Sequence, residues 1–322
     1  MSKLDMEAAV NQAIGKNGAA RVHLEQLKLD EVLYALQKLK PKKSTGPDDI
    51  PPYIYKDCRL VLGKPLLYIF NQCLAEAVFP DRWKTTKVVP VLKGKSASNV
   101  DQYRPVAVLS TPAKVLEAAV HKSILSQVNV QLSYEQHGFR SDRSTSSNLI
   151  NYMNYIVPEV DAGGQVHVAF LDYKKAFDLV NNDILLTKLA GVGFTSHLLT
   201  FFASYMRNRK QYIEYAGCRS ENYLTRSGVS QGSNLGPLQF ILMINDLPTV
   251  VKDAHCTLFA DDLKLYLAVR NREDCQKLQD IDRVVAWSKH NNLQFNITKF
   301  ITMTFSRVLS PVTYQYQNLE SM

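Results

Sequence analysis

Two adjacent carboxylates, Asp261 and Asp262, stand where one apolar run, Leu258 to Ala260, gives way to another, Leu263 to Leu267. The second run alternates apolar and polar residues, the period of a strand with one buried face, and the first also reads as strand. The pair therefore falls at a hairpin tip, where Asp tolerates positive φ. Two carboxylates on a rigid tip offer hard oxygen ligands of the kind that Mg²⁺ takes. An Asp-Asp turn by itself is more often a solvated turn, so a second carboxylate is needed to give the pair weight. Asp172 supplies it, at the end of the apolar run Val166–Leu171, which reads as a buried strand. An Asp at a strand end beside an Asp pair on a hairpin can hold two divalent ions about 3.5–4 Å apart. Such ions stabilise the attacking and leaving oxygens of an in-line phosphoryl displacement.

The rest of the chain has to position those three carboxylates. It has 322 residues, of which 46% are hydrophobic and 21% charged, enough apolar material for a large core and more than one subdomain. The formal net charge of +8 suits a polyanionic partner. Lys and Arg come in groups, at Lys38, Lys40, Lys42 and Lys43, at Lys84, Lys87, Lys93 and Lys95, and at Arg207, Arg209 and Lys210. The last two groups have Trp83, Tyr103, Tyr205 and Tyr212 interleaved, the mixture that contacts phosphate and stacks bases. The five cysteines are widely spaced without a C-x-x-C, which argues against a zinc ribbon or a disulfide framework and fits a reducing compartment. No apolar stretch reaches membrane-spanning length, so no membrane partner is expected. No Walker-A loop and no G-x-G-x-x-G is present, so ATPase and dinucleotide chemistry lack their phosphate cradle.

Along the chain, Asp30 reads as the N-cap of a helix bearing Val32, Leu33, Leu36 and Leu39. Residues 44–52 form a loop of helix breakers, followed by helical patterns near Tyr53–Ile69 and Phe70–Val78. Val88–Leu92 reads as an edge strand because it contains Pro90, with Tyr103–Leu109 as its return. Helices are expected over Pro112–Ser126, Leu238–Leu247 and Asp274–Asn292, and short strands over Leu293–Ile297 and Ile301–Phe305.

Taken together, these motifs resemble the reverse transcriptase domain of non-LTR retrotransposons of the jockey-like LINE kind, over roughly residues 25–307 and in the same order. Lys43 to Asp48 resembles that family's opening loop, and Pro90 to Lys93 with Tyr103-Arg104-Pro105 its fingers hairpin. His137 to Arg140 with Arg143 to Thr145 resembles its template-contacting loop. Asp172 to Asp178, Ser230 to Pro237, Phe259 to Asp262, and Leu293 to Asn296 with Lys299 resemble its four catalytic motifs. The chain departs from the family at Asp49 (usually Gly), Ser230 (Pro), Gln239 (apolar), Asn182 (His) and Phe300 (Cys), none of them an expected metal ligand.

The resemblance implies an α+β fold, a right-hand polymerase with fingers and palm, the palm a small antiparallel sheet backed by helices. It implies an N-terminal extension over 1–37, fingers over 38–160, palm over 161–180, fingers and palm helices over 181–229, palm with the hairpin over 230–308, and a tail over 309–322. Asp172 and Asp261 would hold two Mg²⁺ ions, with Mn²⁺ as a substitute. Asp262 would either assist or only shape the turn, and the backbone carbonyl of Tyr173 would be a further ligand. Lys93 and Arg104 would grip the triphosphate, Arg as a fork and Lys as a point charge. Phe177 would exclude a ribose 2′-hydroxyl, with a core aromatic as the rival reading. Gln231 and Gly232 would approach template and incoming base, Arg140 and Arg143 would touch template phosphate, and Lys299 would protonate pyrophosphate or sit in a solvated turn.

The implied activity is RNA-directed DNA polymerisation by two-metal nucleotidyl transfer, with an RNA template, a DNA primer and deoxynucleoside triphosphates as partners. The implied location is intracellular, in nucleus or cytoplasm. Family members also carry an endonuclease before this region and a long extension after it, so a chain that stops near the fourth motif is expected to lack a thumb and to grip duplex poorly. Two other readings stand beside this one. A truncated retroelement relic would bind RNA without useful catalysis, and an RNA-templated RNA polymerase would use the same carboxylates. Phe177 and Ala260 argue against the last.

Overall fold

A computed structural model describes residues 22–92, 99–271, 273–274, 279–307 and 311–312. In chain order its elements are helices α1 (Leu29–Lys38), α2 (Pro52–Asp57) and α3 (Arg59–Ala75), strands β1 (Thr85–Leu92) and β2 (Tyr103–Val108), and helices α4 (Thr111–Val128) and α5 (Thr145–Asp161). Strand β3 (Gln165–Leu171) precedes helices α6 (Ala176–Leu179), α7 (Asn182–Val192) and α8 (Ser196–Met206). Strands β4 (Lys210–Tyr215), β5 (Cys218–Arg219) and β6 (Tyr223–Leu224) lead to helix α9 (Gly236–Met243). Strands β7 (His255–Phe259) and β8 (Asp262–Ala268), helix α10 (Asp280–His290) and strand β9 (Ile301–Ser306) complete the set. Helices and sheets are thus mixed, as the sequence leads one to expect. The chain forms two compact units, one from residues up to 131 together with 181–239, the other from 132–180 together with 240 onward. No helix among the described residues is long and apolar enough to cross a membrane.

The first unit holds a sheet in the order β2-β1-β4-β5, with β6 also on β4. Strand β1 is therefore interior, where Pro90 suggested an edge. The conflict resolves locally: the β1–β4 ladder covers only Thr85–Val88, so Pro90, opposite Pro105 of β2, lies past the stretch paired with β4, which makes no demand on its missing N–H. Helix α1 buries Val32, Ala35 and Leu36, the spacing of one helical face. Asp30 is not its N-cap. The cap is Lys28, whose N–H is taken by the Glu31 carboxylate at 2.7 Å, leaving Asp30 in the first turn where its charge favours the helix dipole. The two helical patterns expected over 53–78 divide at Cys58 instead, and the second runs unbroken through Ile69 and Phe70 to Ala75. In the loop before them, Asp49 has φ +56, a conformation glycine adopts without strain and Asp tolerates.

The second unit is an antiparallel four-stranded sheet in the order β7-β8-β3-β9. Strand β3 is buried nearly throughout because it lies between β8 and β9, which is why its sequence is an unbroken apolar run. Helix α5 belongs to this unit: Tyr152 and Ile156 pack with Val166, Val168 and Tyr266 of the sheet. Residues 230–239 fall in the first unit, the division passing through α9. The strand expected over 293–297 reduces to one bridge, Phe295 to Tyr173. Helix α9 ends at Met243, short of Leu247, which begins a separate turn.

Candidate active site

The hairpin tip is built by β7 and β8, which pair through Phe259 and Asp262 and leave Ala260 and Asp261 as a two-residue turn. The positive φ at this tip belongs to Ala260, at +55°, and to neither aspartate, contrary to what the turn chemistry of Asp suggested. An alanine there costs about 1–2 kcal/mol relative to its relaxed backbone, so surrounding structure must impose it. Gln136 does so. Its buried side-chain oxygen accepts the N–H of Ala260 at 2.9 Å and that of Gly138 at 2.7 Å, while its amide reaches the Ala260 carbonyl at 3.4 Å. The same segment runs beside β7, with Leu258 N–H donated to the Glu135 carbonyl and His137 N–H to the Leu258 carbonyl, both at 2.8 Å. Buried Asn148 adds a bond to that Leu258 carbonyl at 3.1 Å and accepts from Lys264 at 2.5 Å. No local sequence signal marks Gln136 or Asn148 as supports of a carboxylate 113 or more residues away; only the closed loop shows it.

Asp172 follows Leu171, which pairs with Leu263, so antiparallel register sets Asp172 across from Asp262. The Asp172 carbonyl accepts the N–H of Asn296 at 2.8 Å, and its carboxylate accepts the Lys299 ammonium at 2.5 Å. Asp172, Asp262, Lys264 and Lys299 line one cavity of about 590 Å³. Burial raises the Asp261 carboxyl above the usual range, reinforced by Asp262 and Asp172 and opposed by Lys299. Asp262 is raised by the partial burial of its carboxyl group and then by Asp172, although the residue as a whole is exposed, which tempers the effect. The ammonium of Lys299 is raised by its bond to Asp172. Negative charge has thus been gathered at a cost, and one cation has already been drawn in.

A stability consequence follows. A carboxyl raised in the folded state binds protons more tightly than the unfolded chain, so stability falls as pH rises through the folded pKa. At neutral pH, without divalent ions, Asp261→Asn is expected to raise the melting temperature, and the gain should shrink toward pH 4. A thermal melt of both proteins in EDTA checks this; an equal or lower melting temperature for the variant at pH 7 contradicts it.

The donor set suits a hard divalent cation, being oxygen-only and crowded with like charge. As it stands, Lys299 occupies Asp172, and no group of three His, Cys, Asp or Glu among the described residues is arranged around a common point. Tyr173 is held beside the site by its buried ring, stacked on Phe295 at 4.4 Å, and by its hydroxyl, 3.1 Å from Ser288 Oγ. Phe177 is half-buried in the same unit, stacked on Phe240 at 4.6 Å with Phe139 edge-on at 5.8 Å.

The remaining expected site residues are placed as follows. Lys93 lies outside the described residues. Arg104 is exposed on β2, in the first unit, with Gln231 and Gly232. Gly232 has φ +112, and a Cβ there would stand 2.6 Å from the Ala107 carbonyl, so the close approach requiring glycine is one within the chain. Arg140 and Arg143, expected on template phosphate, turn to the protein. Arg140 donates to the Ser133 carbonyl at 3.0 Å and pairs with Asp142 at 3.7 Å, its side chain 8% exposed. Arg143 donates to the Tyr134 carbonyl at 3.0 Å and lies over the Tyr134 ring at 4.4 Å. Loop carbonyls without secondary-structure partners need these donors.

Residues 91–318 match a family described as "Reverse transcriptase (RNA-dependent DNA polymerase)". The chain is 30% identical over 300 residues to the "RNA-directed DNA polymerase from mobile element jockey" of Drosophila funebris, covering 87% of this chain and 32% of that protein. It is 28% identical over 304 residues to the "Probable RNA-directed DNA polymerase from transposon BS" of Drosophila melanogaster, covering 90% and 33%. The "Retrovirus-related Pol polyprotein from type-1 retrotransposable element R1" of Bradysia coprophila matches at 28% over 259 residues, 78% and 25%. The chain spans about a third of the length of the first two relatives and a quarter of the third.

Proposed function

The chain belongs to the reverse transcriptase family, related to the polymerases of non-LTR retrotransposons, and from that premise we propose that it extends a DNA primer on an RNA template with deoxynucleoside triphosphates. The observation that carries this reading is the carboxylate crowd of Asp172, Asp261 and Asp262 on the antiparallel sheet, with Lys299 already drawn to it. The second unit is the palm of this reading and the first the fingers.

Asp172 and Asp261 would hold two Mg²⁺ ions, or Mn²⁺ in their place, with the Tyr173 carbonyl as a further ligand and Asp262 next to Asp172 across the ladder. Bound divalent ions supply a lowered pKa for the primer 3′-hydroxyl and neutralise charge on the phosphate in flight. The chain's own part is placement. Gln136 fixes the tip that carries Asp261, and the bridge of Tyr173 to Phe295 fixes the segment after Asp172. Lys299, bonded to Asp172 here, would be the ammonium available to protonate the pyrophosphate. Lys93 and Arg104 hold the triphosphate, and Gln231 presents the loop to the incoming base.

Phe177 meets the sugar of the incoming nucleotide and rejects a 2′-hydroxyl by contact. Its two phenylalanine neighbours fix the ring rather than exclude this role, because the residue remains half-open. Phe177→Ala is therefore expected to raise the UTP-to-dTTP incorporation ratio on a poly(rA) template by about tenfold or more. Equal ratios for wild type and a folded variant would make Phe177 a packing residue. Template binding by wild type with no incorporation of either nucleotide would favour the RNA-binding relic.

A further inference from the structure

Among the described residues of the first unit Glu117 is the most fully enclosed carboxylate, with none of its surface exposed. It lies on α4, and both oxygens are taken. Oε1 accepts the Tyr205 hydroxyl at 2.8 Å and Oε2 accepts the backbone N–H of Asn234 at 2.8 Å. The Asn234 side chain returns to the same helix, donating to the Lys114 carbonyl at 2.9 Å. Behind the carboxylate sits Arg209, buried, over the Tyr205 ring at 4.9 Å and donating to the Tyr205 carbonyl at 3.1 Å. Burial pushes the Glu117 carboxyl up, while Arg209 and the Asn234 N–H pull it back. A charge so enclosed is costly, and the same packing can be had from an apolar residue. What an apolar residue cannot do is hold a loop N–H.

That loop is Ser230 to Gly236, which is also tied to β2, to itself and, through the Ser233 hydroxyl, to Tyr205. The Ala107 N–H donates to the Gln231 carbonyl at 2.9 Å, and Ser233 Oγ accepts the Gly236 N–H at 2.7 Å. We propose that Glu117 is a positioning residue that sets where the Gln231–Asn234 turn is held, and through it how tightly the incoming deoxynucleotide is bound. This rests on the reading of that turn as a nucleotide contact.

Glu117→Ala removes both acceptors and leaves the Asn234 N–H without its side-chain partner. The dNTP KM is expected to rise about tenfold or more, kcat to fall less, and primer-template affinity to stay within about twofold. Amide exchange at Asn234 should accelerate. Glu117→Gln can still accept from Asn234 and donate to the Tyr205 oxygen, so it should restore the KM to within about threefold of wild type. Glu117→Asp keeps the charge beside Arg209 but cannot reach both partners, so it should raise the KM even if Glu117→Ala does not fold. A merely structural role would lower the active fraction and leave the KM of the folded remainder unchanged. An unchanged KM in the folded Ala and Asp variants, or unchanged exchange at Asn234, would overturn the proposal. Wild type without any incorporation would refute the polymerase reading, and amide exchange would still decide whether Glu117 holds the loop.

Discussion

Asp261→Asn is expected to slow primer extension about a thousandfold while RNA affinity stays within about twofold, a barrier increase of about 4 kcal/mol. The asymmetry comes from what the residue touches. Asp261 stands on the hairpin turn among carboxylates, where its charge is raised in pKa by burial and by its neighbours. Template grip in a polymerase comes mostly from phosphate contacts by lysine and arginine, which this substitution leaves alone. Asn keeps the size and one oxygen but removes the charge that draws a divalent ion. Single-nucleotide incorporation under saturating template separates the two effects. A variant retaining more than about a tenth of the rate would put less than about 1.4 kcal/mol at stake, too little for a metal ligand.

Gly138→Ala is expected to lower incorporation about a hundredfold without touching any carboxylate. Its Cβ would stand 2.2 Å from the Ala260 nitrogen and 2.9 Å from the Ala260 Cα, both backbone atoms that cannot swing aside. Relief requires the hairpin tip and the Gln136 segment to part, which weakens the bonds imposing φ +55 on Ala260. A displacement of about 1 Å at a reacting centre costs about two orders of magnitude in rate. The fold should lose only about 1–3 kcal/mol, the usual cost of overpacking. Urea unfolding alongside incorporation distinguishes a moved site from an unfolded one. A folded variant with the wild-type rate would mean that the Gln136 clamp does not govern the position of Asp261.

The places of Asp172, Asp261 and Asp262 in the fold were legible in the sequence because they sit at the ends of strongly periodic segments. The alternation of Leu263, Leu265 and Leu267 placed the hairpin, and the apolar run to Leu171 placed Asp172 at a strand end. Their supports were not legible, because each depends on partners far away in the chain. Gln136 reaches Ala260 across 124 residues, and Glu117 reaches Asn234 across 117. A polar residue in a loop or an isolated Glu on a helix gives no sign of what it will meet. The protein-side partners of Arg140 and Arg143 were hidden for the same reason. Composition shows a guanidinium, but not that the Ser133 and Tyr134 carbonyls will take it. Pro90 misled over the edge strand because pairing is decided residue by residue, and the ladder with β4 stops at Val88, short of it.

The most direct test is incorporation of labelled dTTP on poly(rA) primed with oligo(dT), by the purified full chain, with Mg²⁺ and with EDTA. Template-dependent synthesis that needs the divalent ion and disappears in both Asp172→Asn and Asp261→Asn is the expected result. Synthesis that persists in either folded variant, or none at all from a folded wild-type protein that binds the primed RNA, would contradict the assignment of these carboxylates to polymerase chemistry.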